Sequence, residues 1–256
     1  MPNERCLICT VTFNRLEMTK RCLDSLFLMT NPALYRLVVI DNGSTDGTVD
    51  YLKSLTNYQI EDIIFNEENL GTAQALNMGW KIAASRGQYA GKLDNDVVFY
   101  DNNWLDKVIS VLDQTEDVGL VGLKRRDLEE KPNHNDNFFR SHLFALPSGQ
   151  VVEIAEHVIG TCWTVHTRTL EEVGALVQIG PYGLDDALYC IRLRLAGMVP
   201  VFVPDVAIEH IDPGHSKYPE FTQWKIDRAT EVFQSGAYDK LRDSFINGER
   251  PIYEPF

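Results

Sequence analysis

Tyr35-Arg36-Leu37-Val38-Val39-Ile40-Asp41-Asn42-Gly43-Ser44-Thr45-Asp46-Gly47-Thr48 decides how this chain folds. Tyr35 to Ile40 is a near-continuous apolar run, the pattern of a strand buried on both faces. It stops at a tight loop of Asp, Asn, Gly and Ser, residues that bond their own backbone or accept positive φ. Thr45 or Asp46 then stands where it can cap a helix over Thr48 to Leu55.

The same alternation extends in both directions. Cys6 to Val11 reads as a strand. Leu16 to Leu28 reads as a helix with Leu16, Cys22, Leu23, Leu26 and Phe27 on its apolar face, stopped by Asn31-Pro32. Downstream come a strand (Ile60 to Phe65), a helix (Thr72 to Ser85) and a strand (Tyr89 to Leu93). A βαβαβαβ order predicts an α/β fold with a mostly parallel sheet flanked by helices. Ligands of such sheets sit beyond the carboxyl ends of the strands. The polar segments fall at those ends: Thr12-Phe13-Asn14-Arg15, Asp41 to Gly47, Asn69-Leu70-Gly71 and Asp94-Asn95-Asp96. One shared cleft explains all four.

Further on, Trp104 to Leu112 reads as a helix and Val118 to Leu123 as a strand. Lys124 to Glu156 reads as a long irregular segment, usually a functional loop or lid. Thr161 to His166 and Pro200 to Val203 read as strands, Asp185 to Ala196 and Pro219 to Phe233 as helices. The tail to Phe256 has no clear period. The expected organisation is one domain over 1–216, in two halves (1–123 and 124–216). Residues 217–256 would form a helical extension packed on it.

Composition narrows the functional classes. Of 256 residues, 44% are hydrophobic and 24% charged, which is ordinary for a globular chain. A net charge of -13 gives no strong general signal for nucleic-acid or anionic-membrane binding. The compact basic cluster is Lys124-Arg125-Arg126. No transmembrane segment is expected, since no apolar run reaches the roughly 18 residues a span needs. The opening residues do not resemble a secretory signal, so a cytoplasmic protein is the simplest expectation. Five scattered cysteines do not suggest a disulfide framework. Cys6 and Cys9, three apart on a strand, would point to opposite faces and could not share a metal.

Asp94 and Asp96 would point to one side if the strand geometry continued through them. Two such carboxylates suit Mn²⁺ or Mg²⁺, which also take phosphate oxygens. An isolated Asp-x-Asp is more often a surface turn; the position at a strand end favours the metal.

Val11-Thr12-Phe13-Asn14-Arg15, Val38 to Thr48, Asn69-Leu70-Gly71 and Leu93-Asp94-Asn95-Asp96-Val97, in that order, resemble the signatures of glycosyltransferase family 2, which has the Rossmann-like GT-A fold. The resemblance is close over about residues 5 to 125 and continues in pieces to about 216. It implies that 1–123 is a nucleotide-binding half and 124–216 an acceptor-side half, and that Thr12, Asn14 and Asp41 contact the nucleoside. Arg15, Asn69 and Gly71 fall in the same nucleotide-sugar-binding loops. Asp94 would lie near both ribose and metal, and Asp96 would coordinate the metal. Gly183-Leu184-Asp185-Asp186, ahead of a helix with Arg192 and Gly197, looks like the family's acidic pair before Arg-x-x-x-x-Gly. The family usually has Glu-Asp there. Asp186 matches the second position and is the expected catalytic base, with Asp185 in reserve; the alternative is N-terminal helix stabilisation. Relatives place a His after the last core strand, which points to His210 ahead of His215 as a further metal ligand. Trp163, Arg125, Arg126 and the stretch from Phe138 to His142 are candidates for the acceptor side, although Trp163 suits core packing equally well.

The expected activity is metal-dependent inverting transfer from a nucleotide-diphosphate sugar, UDP-linked by family expectation, to a hydroxyl acceptor. That acceptor could be a glycan, a lipid-linked sugar, a protein or a modified base. Processive relatives carry Gln-x-x-Arg-Trp, which Gln223-Trp224-Lys225 does not match. A sugar-nucleotidyltransferase would open with a Gly-rich phosphate loop, which Thr12 to Arg15 lacks. A non-catalytic sugar-nucleotide or glycan-binding module would have no reason to hold both acid pairs.

Overall fold

The computed structural model describes residues 5–129, 141–180, 182–211 and 218–256. His215, Phe138 and Phe139 lie outside the described residues. The described strands are β1 (Cys6–Thr12), β2 (Tyr35–Asp41), β3 (Ile60–Phe65), β4 (Tyr89–Asp94), β5 (Val97–Val98), β6 (Val118–Arg125), β7 (Ser141–Ala145), β8 (Val151–Ala155), β9 (Cys162–His166) and β10 (Val199–His210). The described helices are α1 (Leu16–Met29), α2 (Thr48–Ser54), α3 (Thr72–Arg86), α4 (Trp104–Gln114), α5 (Arg126–Glu129), α6 (Thr167–Glu172), α7 (Asp185–Leu195), α8 (Pro219–Gln234) and α9 (Ala237–Ile246).

The sheet runs β3-β2-β1-β4-β9-β6-β10-β8-β7, with β5 paired to the end of β10. The first four strands are parallel, as the βαβ pattern predicts. β9 then inserts antiparallel between β4 and β6, so β6 and its parallel partner β10 run the same way as β4. The second half is therefore mixed, closed at its edge by the β7–β8 hairpin.

Side-chain alternation explains the layers. Ile8, Leu37 and Val39 face a core built with Leu23, Leu26, Trp104 and Leu105 of α1 and α4. Leu7, Val38 and Ile40 face the opposite core, with Trp80 of α3 and Tyr189 and Leu193 of α7. Cys6 and Cys9 fall on opposite faces, and all five cysteines are buried free thiols.

Three segments differ from the sequence expectation. The stretch from Lys124 to Glu156 contains the β7–β8 hairpin. β10 continues from Val203 to His210 through a register shift against β6. The tail contains α9, and its end is stitched down by Arg192. That guanidinium donates to Ile252 O (2.8 Å), Ala175 O (2.7 Å) and Val173 O. No helix among the described residues is long and apolar enough to cross a membrane.

Candidate active site

The carboxyl ends of β1, β2 and β4 open onto one cavity of about 320 Å³. Its floor is built from the β1–α1 turn. Asn14 and Arg15 both take left-handed backbone conformations, φ 55° and 60°, which cost a non-glycine residue about 1 kcal/mol each. Local bonds hold the turn. Asn14 N donates to Ser44 Oγ, and Asn14 Oδ1 accepts from Thr45 N, both at 2.8 Å. The turn delivers the Arg15 guanidinium to Asp96 Oδ2 at 2.7 Å and to Asn95 Oδ1. Asn95 Nδ2 in turn donates to Thr12 Oγ1 (3.1 Å) and Thr19 Oγ1 (2.9 Å).

The strand ends at Asp94, and Asn95-Asp96 form a turn, so the two carboxylates do not share one strand face. Asp94 turns to Lys92 Nζ. Asp96 turns to Arg15 and to His210, whose Nε2 lies 3.3 Å from Oδ2. His210 reaches this point because it pairs with Val97 across β5 and β10. Burial would raise the Asp96 pKa, but the His210 hydrogen bond and the Arg15 charge hold it well below the usual carboxylate range. Asp96 Oδ1 is buried and accepts no hydrogen bond among the described residues.

On the other wall, Gly183 (φ 92°) and left-handed Leu184 (φ 65°) turn the chain so that α7 begins with its acids in the cavity. The two acids are unlike. Asp186 accepts from Gly160 N (3.0 Å) and Ala187 N (2.7 Å), and His157 Nε2 lies 3.4 Å away. Burial opposes its ionisation, but these partners outweigh it and lower its pKa. Asp185 makes no side-chain hydrogen bond to another described residue. Burial and then the charge of Asp186 push it up to about 6. Lys92 joins the two walls, donating to both Asp94 and Gly160 O, while Gly160 N holds Asp186.

Arg15, Asn69, Asp94, Asp96, Arg125, Asp185, Asp186 and His210 all line the cavity. Thr12 does not: its side chain is fully buried, bonded to Thr19 and Asn95, so it supports the floor. Asn14 likewise shapes the turn with its side chain. Asp41 lies just behind Asn42; its Oδ2 accepts from Ser44 N, while Oδ1 is buried and takes no hydrogen bond among the described residues. Gly71, at φ 87°, shapes the approach to α3. Arg125 is held by Asp127, and Arg126 stacks over Tyr100 at 4.6 Å, outside the cavity lining.

Trp163 requires a correction. It is 1% exposed, donates from Nε1 to Ile159 O and packs against Tyr189, so it cannot stack on an acceptor sugar. The aromatic wall comes instead from Tyr182 and from Phe221 and Trp224 of α8, which the sequence reading did not single out. The spacing of Phe221, Trp224 and Lys225 at i, i+3 and i+4 was the available signal.

The model for "Glycosyl transferase family 2" matches residues 7–174. Glycosyltransferase AglE of Haloferax volcanii is 33% identical over 112 residues, 43% of this chain and 36% of that protein. Among solved structures, the mannosyltransferase PcManGT from Pyrobaculum calidifontis, in complex with GDP-Man and Mn²⁺, aligns with a TM-score of 0.64 at 20% identity. That alignment covers 83% of this chain and 58% of the other. GalNAc-T7 with UDP, GalNAc and Mn²⁺ aligns at 0.62 and 15% identity, over 81% and 44%. The matches thus span between about a third and three fifths of these proteins' lengths. The structural likeness establishes the GT-A fold, and the family model extends over most of the chain that builds the cavity: the chain belongs to glycosyl transferase family 2.

Proposed function

We propose that the chain transfers a glycosyl group from a nucleotide-diphosphate sugar to a hydroxyl acceptor with inversion, that a divalent cation assists, and that Asp185 is the base. The observation that carries this reading is convergence: the ends of three parallel strands and the acidic start of α7 meet in one cavity. The nucleoside would lie against Val11, Phe13, Asn42 and Asn69. Asp41 stands just behind the cavity-lining Asn42, and its buried Oδ1, which lacks a donor among the described residues, would reach the ring N–H of uracil only if the loop after β2 shifts. A UDP-linked donor is the family expectation.

A Mn²⁺ or Mg²⁺ ion fits the opposite end. Asp96 supplies a carboxylate oxygen that has no hydrogen-bond partner among the described residues, and His210 lies beside it. Among the described residues no group of three or more His, Cys, Asp or Glu side chains converges on one point. The protein would thus supply part of the coordination and the diphosphate the rest, the usual arrangement for Mg²⁺ in nucleotide sites. Asp94, which is tied to Lys92, would stand nearer the ribose. Such an ion supplies Lewis-acid stabilisation of charge on the leaving diphosphate.

Asp185 suits the base because its carboxylate faces the cavity and its raised pKa brings it nearer neutrality. It would take the acceptor proton as the hydroxyl oxygen attacks the anomeric carbon. Asp186, committed to Gly160, Ala187 and His157, would position that wall. The proposed base thus moves from Asp186 to its neighbour. A thermal-shift screen of UDP, GDP, dTDP and their sugars with and without Mn²⁺ tests the donor. Metal-dependent stabilisation by a UDP compound is expected; no response to any of them would overturn the reading.

A further inference from the structure

The cavity holds four lysine or arginine side chains: Arg15, Lys92, Arg125 and Lys225. Three are already balanced by acids. Arg15 pairs with Asp96 at 2.7 Å, Lys92 with Asp94, and Arg125 with Asp127 at 2.6 Å. Lys225 makes no ion pair or hydrogen bond among the described residues. Its ammonium is held instead by two ring faces, 4.7 Å from the centre of Phe221 and 4.9 Å from that of Tyr182.

That holding is itself anchored. Arg15 lies 4.5 Å from the Phe221 ring centre, so one ring joins the β1–α1 turn to α8. Phe221 stacks on Trp224 at 5.9 Å with the planes 10° apart. Phe221, Trp224 and Lys225 are spaced to share one helix face, and all three line the cavity. A half-buried ammonium without an acidic partner is a costly arrangement unless an anion joins it. The rings fix it as a point charge without neutralising it.

We propose that Lys225 is the counter-charge for the donor's diphosphate, so that α8 forms part of the donor site. This rests on the nucleotide-sugar reading above. The ligand chemistry is a nucleoside diphosphate, with the lysine recognising phosphate charge and the β1–α1 and β2–α2 loops recognising the nucleoside. Lys225 is then a binding residue whose effect should be confined to ligands that carry phosphate.

The test compares Lys225→Met and Lys225→Arg with the unsubstituted chain by calorimetry, using uridine, UMP and UDP in the presence of Mn²⁺, alongside thermal melting. Lys225→Met should weaken UDP at least tenfold and leave uridine within twofold. Lys225→Arg should keep UDP within about threefold, and the UDP deficit of Lys225→Met should shrink as salt rises. The melting temperature of Lys225→Met should change little, because the methionine keeps the apolar stem and only the two ring contacts of the ammonium are lost. Unchanged UDP affinity would overturn the proposal. So would a parallel loss for uridine and UDP with a lower melting temperature, which marks a structural role. If UDP, GDP and dTDP all fail to bind the unsubstituted chain, the donor reading itself fails, an outcome distinct from either.

Discussion

Arg15 and Asp96 form a buried ion pair, Nη1 to Oδ2 at 2.7 Å, with side chains 9% and 4% exposed. The arginine adopts a left-handed backbone to make it. Its second amino group holds Asn95, so one guanidinium sets both residues that follow β4. Breaking a buried pair from one side leaves an uncompensated charge, at a cost of about 3–5 kcal/mol. Asp96→Ala is expected to lose about that much in urea unfolding, and Arg15→Met a similar amount. The double variant should recover part of the sum, a coupling that a double-mutant cycle reads directly. Additive losses would mean the pair is not a unit. The pH sign follows from the lowered Asp96 pKa. Its stabilisation is complete above the unfolded value near 4 and is lost as pH falls through the lower folded value.

Gly71 stands at φ 87° before α3, where a Cβ would collide with the Gln178 side-chain amide. That amide donates to Leu70 O, and its oxygen accepts from Gln74 N, fixing the first turn of α3. Gly71→Ala is expected to lose about 1–2 kcal/mol from the left-handed backbone, and to weaken the nucleotide through Asn69, whose Oδ1 accepts from Gly71 N at 2.9 Å. Adding Gln178→Ala should relieve the clash but not the φ cost. Full restoration of stability by that second change would refute the backbone argument.

The parts of the fold legible in the sequence are those with local causes. The parallel half follows from alternating periodicities, and the cavity from the polar residues at each strand end. What escaped depends on pairings between distant segments. Nothing within Cys162 to His166 says that it inserts antiparallel between β4 and β6. Phe144 and Val151 lie on a two-stranded edge with exposed side chains, so the β7–β8 hairpin carries little burial pattern. Trp163 has the composition of a sugar platform, but its strand neighbours send it inward. Asp185 and Asp186 are identical in sequence, and only Gly160 and His157, brought from 25 or more residues away, distinguish them. Lys225 was invisible as a cavity residue because α8 reaches the site from the far end of the chain.

Arg192 is the fully buried cation that ties the end of the chain to the domain. It bonds three carbonyls and lies between the rings of Tyr189 and Phe245, 5.7 and 5.4 Å away. Burial pulls its pKa down to about 10, so it stays charged at neutral pH. Arg192→Met keeps the apolar stem but leaves carbonyls of Val173, Ala175 and Ile252 without this donor. Unfilled buried acceptors cost about 1–3 kcal/mol each when water does not enter. Val173 O keeps the Glu254 N–H at 3.0 Å, so two acceptors lose their donor and the variant is expected to unfold at least about 2 kcal/mol more easily, with amide exchange rising first at Glu254. Uniform exchange across the chain would show that the tail is not a separately anchored segment.

Asp185 gives the sharpest separation of stability from chemistry. Its folded pKa of about 6 lies above the ordinary 3.8. Between about pH 4 and 6 the native chain keeps a proton that the unfolded chain has released. Stability therefore falls as pH rises through this window, and the penalty is complete above pH 6. Two units correspond to about 3 kcal/mol, so Asp185→Asn should be more stable than the unsubstituted chain at pH 8 by up to that amount, and nearly equal to it at pH 3. Asp186→Asn should be less stable, because its amide replaces a charged acceptor at Gly160 N and Ala187 N. Function should move the other way. As the base, Asp185 must be ionised, so kcat/KM should rise with pH to a plateau above about 6. Asp185→Asn should lose roughly 10²–10⁴-fold in transfer while retaining donor affinity. If Asp186→Asn shows that kinetic pattern and Asp185→Asn transfers normally, the base is Asp186 and the raised acid beside it serves only to orient the acceptor.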